Sequence, residues 1–180
     1  HAAEWTFSYG RVCVAHLEIL TYPDPRLREK AAAVTSFDDE LRTLIGDMVE
    51  TMYLAPGVGL AATQVGALKR VLVIDISVGD EQDKLLECVN PEIFNSEGEE
   101  ESVEGCLSVP EYNATIKRAA KVWLRAFDRF GIAYEREFEG LEARALQHEV
   151  EHLDGILFID HLSSLKRDLA KRKLRKLKRD

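Results

Sequence analysis

The chain has 180 residues, 46% of them hydrophobic, enough for one domain with a substantial core. No stretch approaches the roughly 18 to 20 apolar residues a membrane span needs, so no membrane role is expected. The net charge of −8 hides a split: Lys166–Asp180 carries nine Lys/Arg against Asp168 and Asp180, a net of +7, while the other 165 residues carry 15 basic and 30 acidic groups, a net of −15. Three cysteines, Cys13, Cys88 and Cys106, are too few and too irregular for a disulfide framework, and point to a reducing compartment in which free thiols can serve as ligands.

Residues 1–15 show neither apolar periodicity nor a signal-peptide core and read as an N-terminal extension or remnant, with the domain starting near His16. Pro23-Asp24-Pro25 is a turn leading into a short helix expected over Arg26–Ala33. Asp38 or Asp39 can cap the next segment, where Leu41, Leu44, Ile45, Met48, Val49 and Met52 follow the spacing of an amphipathic helix ending before Pro56-Gly57. Gly57–Gly66 is too glycine-rich for an ordinary helix. Val71–Ile76 reads as a buried strand, and Leu85–Val89 as another closed by Asn90-Pro91. Ser96–Glu101 is acidic and exposed, and Lys121–Phe127 with Ile132–Phe138 form a hairpin around Asp128-Arg129-Phe130-Gly131. Leu141–Leu153 is a helix stopped by Asp154-Gly155, and a second helix runs from Ser163 with Leu165, Leu169, Leu174 and Leu177 among many charges. Strands in the middle with helices on either side indicate an α+β fold rather than alternating α/β.

The chemistry centres on Gln147-His148-Glu149-Val150-Glu151-His152. Helix positions four apart share a face, so His148 and His152 can point at one metal ion with Glu149 beside them. Two imidazoles and a carboxylate form a kit for metal-assisted hydrolysis, in which the metal acidifies a water and the carboxylate shuttles its proton. The bland alternative is a helix whose histidines meet solvent or a core edge. The zinc-protease patterns fail at the third ligand: Gly155 holds the glycine position of one of them, but Phe158 stands where its third His would be, and no Glu follows Glu151. Asp154, Asp160 and His161 stay open without a matching pattern. Cys106, in the glycine-flanked run Glu104-Gly105-Cys106-Leu107-Ser108, is the better candidate, although a buried structural thiol is the commoner fate of a free cysteine. Cys88, inside a strand-like run, fits that fate.

Three segments together, Gly57-Val58-Gly59-Leu60-Ala61-Ala62-Thr63-Gln64, then Glu104–Ser108, then Gln147–His152, resemble the GxGxAAxQ, EGCxS and QHExxH motifs of the peptide deformylases, in that order. The likeness extends over roughly residues 16 to 167. It implies a single α+β domain over residues 16–165, with mixed or antiparallel sheets packed around a central HExxH helix, followed by a basic C-terminal helix over 166–180. It also implies an enzyme that removes the N-formyl group from the formyl-methionine of newly made peptides, releasing formate. Cys106, His148 and His152 would be the metal ligands, with the fourth position left for water. Glu149 would be the general base and then acid, and Gln64 with the backbone N–H of Leu107 would stabilise the oxyanion. Gly59, Gly105 and neighbouring main chain would bind the peptide in an extended pose, and Val58, Arg144 and Ala145 would line the methionine pocket.

The metal implied is Fe²⁺, with Zn²⁺, Ni²⁺ or Co²⁺ able to substitute, since all of these accept Cys and His ligands. The setting implied is the bacterial cytoplasm, with the ribosome as the partner of the basic tail. A solvated amphipathic helix or a nucleic-acid contact are the other readings of that tail. The alternatives to deformylation are another metal-dependent hydrolase, such as a zinc peptidase or a relative with different acyl specificity, and an RNA-binding protein with a vestigial site. Three positions depart from the family pattern: Glu151 stands where Asp is common, Glu142 where an apolar residue is common, and Asn113 where many relatives carry an Arg. Glu151 is expected to face away from the metal, with little effect.

Overall fold

The run Val71-Leu72-Val73-Ile74 is apolar without alternation because both of its faces are covered. Val71 and Val73 meet the helix α1 (Asp39–Leu54), while Leu72 and Ile74 meet the helix α2 (Gly140–Leu153). The computed structural model describes residues 15–81 and 83–180. The extension expected over 1–15 lies, except for Ala15, outside the described residues, as does Cys13.

Seven strands follow in chain order: β1 (Gly59–Ala61), β2 (Val71–Ile74), β3 (Leu86–Glu97), β4 (Glu100–Cys106), β5 (Val109–Arg118), β6 (Lys121–Phe127) and β7 (Ala133–Glu139). A five-stranded antiparallel sheet has the order β1-β2-β3-β6-β7, and β4-β5 form a separate antiparallel pair. The HExxH helix α2 packs on the large sheet, whose inward Leu72, Ile74, Cys88, Val122, Leu124 and Phe138 meet Ala143, Leu146 and Leu153. The α1 helix covers the other face through Leu41, Ile45, Met48 and Met52. A third helix, α3 (Ser164–Leu177), is capped by Ser163 and seats Ala170 and Leu174 against Val109, Ile116 and Phe158. This is the expected α+β arrangement around the HExxH helix, with a C-terminal helix. No helix among the described residues is long and apolar enough to cross a membrane.

Local signals explain most element ends. The Asp38 carboxylate accepts from Leu41 N–H at 3.0 Å to start α1. Gly155, at φ 75°, ends α2 in the left-handed region. The β6–β7 turn is held by Asp128, whose Oδ1 accepts from Phe130 and Ile132 N–H at 2.8 and 3.0 Å.

Three expectations need correction, and one strand pair has no counterpart in the sequence reading. The helix expected over Arg26–Ala33 is a single 3₁₀ turn, Pro25–Arg28, because the N–H groups of Ala31 and Ala32 bond instead to the carbonyls of Leu153 and Leu68. The strand expected to close at Asn90-Pro91 runs on to Glu97. Asn90 adopts φ 51° at a bulge that absorbs Pro91, while its carboxamide brackets Val34 N–H and C=O. The strand expected over Val71–Ile76 stops at Ile74, where Asp75 starts a turn by accepting from Ser77 and Gly79 N–H. The pair β4–β5 went unread because its strands are charge-rich and largely exposed, leaving little apolar alternation to see.

Candidate metal centre and active site

Three chain segments converge on one point. The α2 helix presents His148 and His152 one turn apart, with Nε2 atoms 3.2 Å from each other. The end of β4 brings Cys106 Sγ to 3.2 Å from His152 Nε2. These three donor atoms lie within 4.8 Å of one another, the only such group of three ligand-type side chains among the described residues. The open candidates of the sequence are engaged elsewhere: Asp154 with Arg70, Asp160 with Arg28, and His161 with Glu151. Phe158 instead stacks on the His148 ring, with centroids 6.0 Å apart.

The donor set fits a metal ion. His148 Nδ1 donates to Glu104 Oε1 at 2.9 Å, so its proton sits on Nδ1 and the Nε2 lone pair faces the other two donors. Burial and the adjacent His148 ring hold His152 well below the usual imidazole range, so it is neutral and able to ligate. Burial opposes a charge on His148, yet Cys106 and Glu104 favour a second proton there, the place a cation would take at Nε2. Three such donors beside a cleft would leave a further coordination position open on a bound ion, the arrangement of a catalytic rather than a structural site.

That cleft has a volume of about 440 Å³ and is lined by all the side chains expected to act on substrate. Glu149 lies against it, buried, with Oε1 4.0 Å from His148 Nε2 and Oε2 without a hydrogen-bond partner among the described residues. Burial raises its carboxyl to about 7, against the opposite pull of His148 and Arg118. Gln64 is fixed at both ends of its amide. Its Oε1 accepts from Ala61 N–H at 2.9 Å and its Nε2 donates to Ser108 Oγ at 3.0 Å, 3.6 Å from Cys106 Sγ. Leu107 occupies the turn between β4 and β5 at the cleft wall. The segment before the first turn straps these loops together, since Leu20 N–H donates to Gln64 C=O and Tyr22 N–H to Ser108 C=O, both at 2.7 Å.

Val58, Gly59, Gly105 and Ala145 line the same cleft. A Cβ at Gly59 would stand 2.9 Å from Glu149 Oε1, so the missing side chain is the space that carboxylate occupies. Arg144 also borders the cleft, but its guanidinium is turned inward to Glu104 Oε2 at 2.6 Å and to the Ile116 and Glu100 carbonyls. Asn113 Oδ1 packs against Gly105, and Glu142 pairs with Arg136 on the surface. Cys88 is a buried structural thiol, pushed up to about 12 by burial.

Sequence reasoning gave no role to Glu104, the carboxylate that orients His148. It is buried, and although burial opposes its charge, hydrogen bonds from His148 and Arg118 hold it at about 2. The available signal was its place two residues before Cys106 on a strand, which puts both on one side.

The family model for polypeptide deformylase matches residues 16–168. The chain belongs to the peptide deformylase family. It is 52% identical over 166 residues to the peptide deformylase of Alkalilimnicola ehrlichii, covering 92% of this chain and 93% of that one. With the peptide deformylase of Rhizorhabdus wittichii the identity is 54% over 168 residues, covering 89% and 94%. The crystal structure of the Legionella pneumophila peptide deformylase superposes with a TM-score of 0.86 at 53% identity, covering 92% of this chain and 96% of that chain. That of the Ehrlichia chaffeensis enzyme in complex with actinonin gives 0.85 at 37%, covering 92% and 99%. Peptide deformylases are metal-dependent hydrolases that remove the formyl group from N-formyl-methionyl peptides, and Cys106, His148 and His152 form a group that could hold a metal ion.

Proposed function

We propose that in this deformylase Cys106, His148 and His152 hold the metal, Fe²⁺ by preference, that Glu149 moves the proton, and that Gln64 with the Leu107 N–H steadies the developing oxyanion. The carrying observation is the convergence of one thiol and two imidazole nitrogens within 4.8 Å at the wall of a cleft that also holds Glu149 and Gln64. A divalent cation held there supplies Lewis acidity toward the formyl oxygen and a water acidic enough to attack at neutral pH.

The rest belongs to the protein. Glu149 accepts the proton of the attacking water and delivers it to the departing amine, a service worth roughly 10² to 10⁴ in rate. The Gln64 amide cannot flip without breaking its bonds to Ala61 or Ser108, so Nε2 meets the charged oxygen with little reorganisation. One such donor contributes about 2.7 to 4 kcal/mol. Gly59 and Gly105 let an extended peptide approach the two strand ends, while Val58, Ala145 and the aliphatic stem of Arg144 enclose the methionine side chain. Residues 16–165 form the catalytic unit. We place the enzyme in the bacterial cytoplasm, with the basic face of α3 turned to the ribosome.

The test is release of formate from formyl-Met-Ala-Ser by protein prepared anaerobically with Fe²⁺, compared with Cys106→Ala. Turnover lost in the variant supports the assignment. Turnover retained, or activity on acetyl peptides in place of formyl ones, would overturn it.

A further inference from the structure

We propose that Glu151 and His161 are positioning residues of the metal centre, acting through Arg118 and Glu104 on the His148 ring. This rests on the reading of Cys106, His148 and His152 as metal ligands. Glu151 precedes His152 on α2, but its carboxylate turns away from the donor group into a second cleft, of about 570 Å³, on whose wall Arg118 and His161 also stand. There His161 Nε2 donates to Glu151 Oε2 at 2.6 Å, and Arg118 Nη1 donates to Glu151 Oε1.

The other edge of the same guanidinium grips Glu104, with Nε to Oε2 at 2.6 Å and Nη2 to Oε1 at 2.9 Å. That Oε1 is the atom accepting from His148 Nδ1. One unbroken row of hydrogen bonds therefore runs from His161, whose side chain is 40% exposed, to a metal-ligating ring, crossing from the turn Phe158–His161 through α2, β5 and β4.

Charge makes the outer half necessary. The Arg118 and Glu104 side chains are 4% and 6% exposed, and Arg144 also donates to Glu104 Oε2. Two guanidinium groups then share one carboxylate, and Glu151 is the second carboxylate that balances them. Without it, Arg118 would answer only to Glu104 and would be drawn toward the open second cleft, taking along the carboxylate that holds His148 in its tautomer and orientation. Partners of this kind typically set metal affinity by roughly 10 to 100-fold.

The experiment uses the full chain loaded with Co²⁺, whose visible absorption reports ligand geometry, together with the rate of Co²⁺ release to a chelator and a thermal melt. Glu151→Ala is expected to release Co²⁺ roughly 10-fold faster and to shift the visible band. Glu151→Gln, which keeps one acceptor oxygen for Arg118 but has neither the charge nor the second acceptor, is expected to fall between Glu151→Ala and wild type, and His161→Phe to move release in the same direction by less. A Glu151→Ala protein that melts cooperatively yet keeps wild-type release and spectrum overturns the proposal. If that variant does not fold, His161→Phe decides: faster release supports the proposal and wild-type release overturns it. Wild-type protein that takes up no Co²⁺ would instead overturn the metal-site reading itself.

Discussion

Gly59 shows how much a single missing atom can settle. Its Cα lies so close to Glu149 that an added Cβ would stand 2.9 Å from Oε1, 3.0 Å from Cγ and 3.1 Å from Cδ. The glycine is therefore part of the mould for the carboxylate proposed to move the proton, and it also lines the cleft proposed to take substrate. Gly59→Ala is expected to lower kcat about 10²-fold, the lower end of the general acid–base contribution, while KM and melting temperature change little. Kinetics of formate release beside a thermal melt checks this, and a kcat within twofold of wild type would show that Glu149 has room elsewhere. Glu151 carries a related lesson. Its carboxylate turns away from the Cys106–His148–His152 group, yet it reaches both Arg118 and His161. A helical wheel can say which way such a residue points, but not what waits for it there.

At the scale of elements, α2 matters most, because it supplies both imidazoles and the carboxylate. Its C-terminus is tied down with unusual care. The Leu153 carbonyl accepts from Ala31 N–H at 2.8 Å and from Arg70 Nη1 at 3.1 Å, and Thr63 Oγ1 donates to the His152 carbonyl at 2.9 Å. Gly155 then turns at φ 75° against the Arg28 carbonyl carbon, which would lie 2.8 Å from a Cβ. A side chain here meets both the left-handed penalty, roughly 1 to 2 kcal/mol, and a backbone collision. Gly155→Ala should therefore lose about 2 kcal/mol or more and lower the melting temperature by roughly 4 °C or more, given about 2–4 °C per kcal/mol at this size. Differential scanning calorimetry on the two proteins decides, with an unchanged transition as the refuting result. The α3 helix is tied less deeply: Ala170 and Leu174 are buried, while Leu165 and Leu169 are 71% and 53% exposed. Its Lys173 and Lys178 donate to the Glu111 and Thr21 carbonyls, so the basic segment lies on the body of the molecule rather than hanging free.

For the molecule as a whole, the acidic body sets the response to pH. Asp160 is partly buried, which raises its carboxyl, but Arg28 and the Leu157 N–H outweigh that and hold it below the ordinary value near 3.8. Asp75 is likewise held low, against burial, by Ser77 and Tyr53. A carboxylate that binds its proton less readily in the folded chain than in the unfolded one stabilises the fold above the unfolded value. That stabilisation is lost as the pH falls through the lower, folded value. Melting temperature should accordingly drop below about pH 4, and Asp160→Asn should make that acid limb shallower while lowering stability at neutral pH. An acid limb of unchanged slope in the variant would count against the Arg28–Asp160 pair as a contributor.

Periodicity and motif spacing place the helices α1, α2 and α3 and the β6–β7 hairpin, because these depend on local rules. A 3.6-residue repeat buries Leu41, Ile45, Met48 and Met52 together, and i, i+4 spacing puts His148 above His152. The thiol, the Gln64 amide and the HExxH helix are 42 to 88 positions apart, and only the resemblance of three motifs joined them in advance. What tertiary structure alone decided depends on partners distant in sequence. Ala31 and Ala32 exchange a helical turn for bonds to Leu153 and Leu68, and Asn90 carries β3 past a proline by clasping Val34. The row from His161 to His148 exists only because four elements bring their charges together, from an open cleft inward to a buried ring. A charged residue in a sequence looks solvent-bound by default, and burial with its counter-charge becomes visible only when the chain is folded.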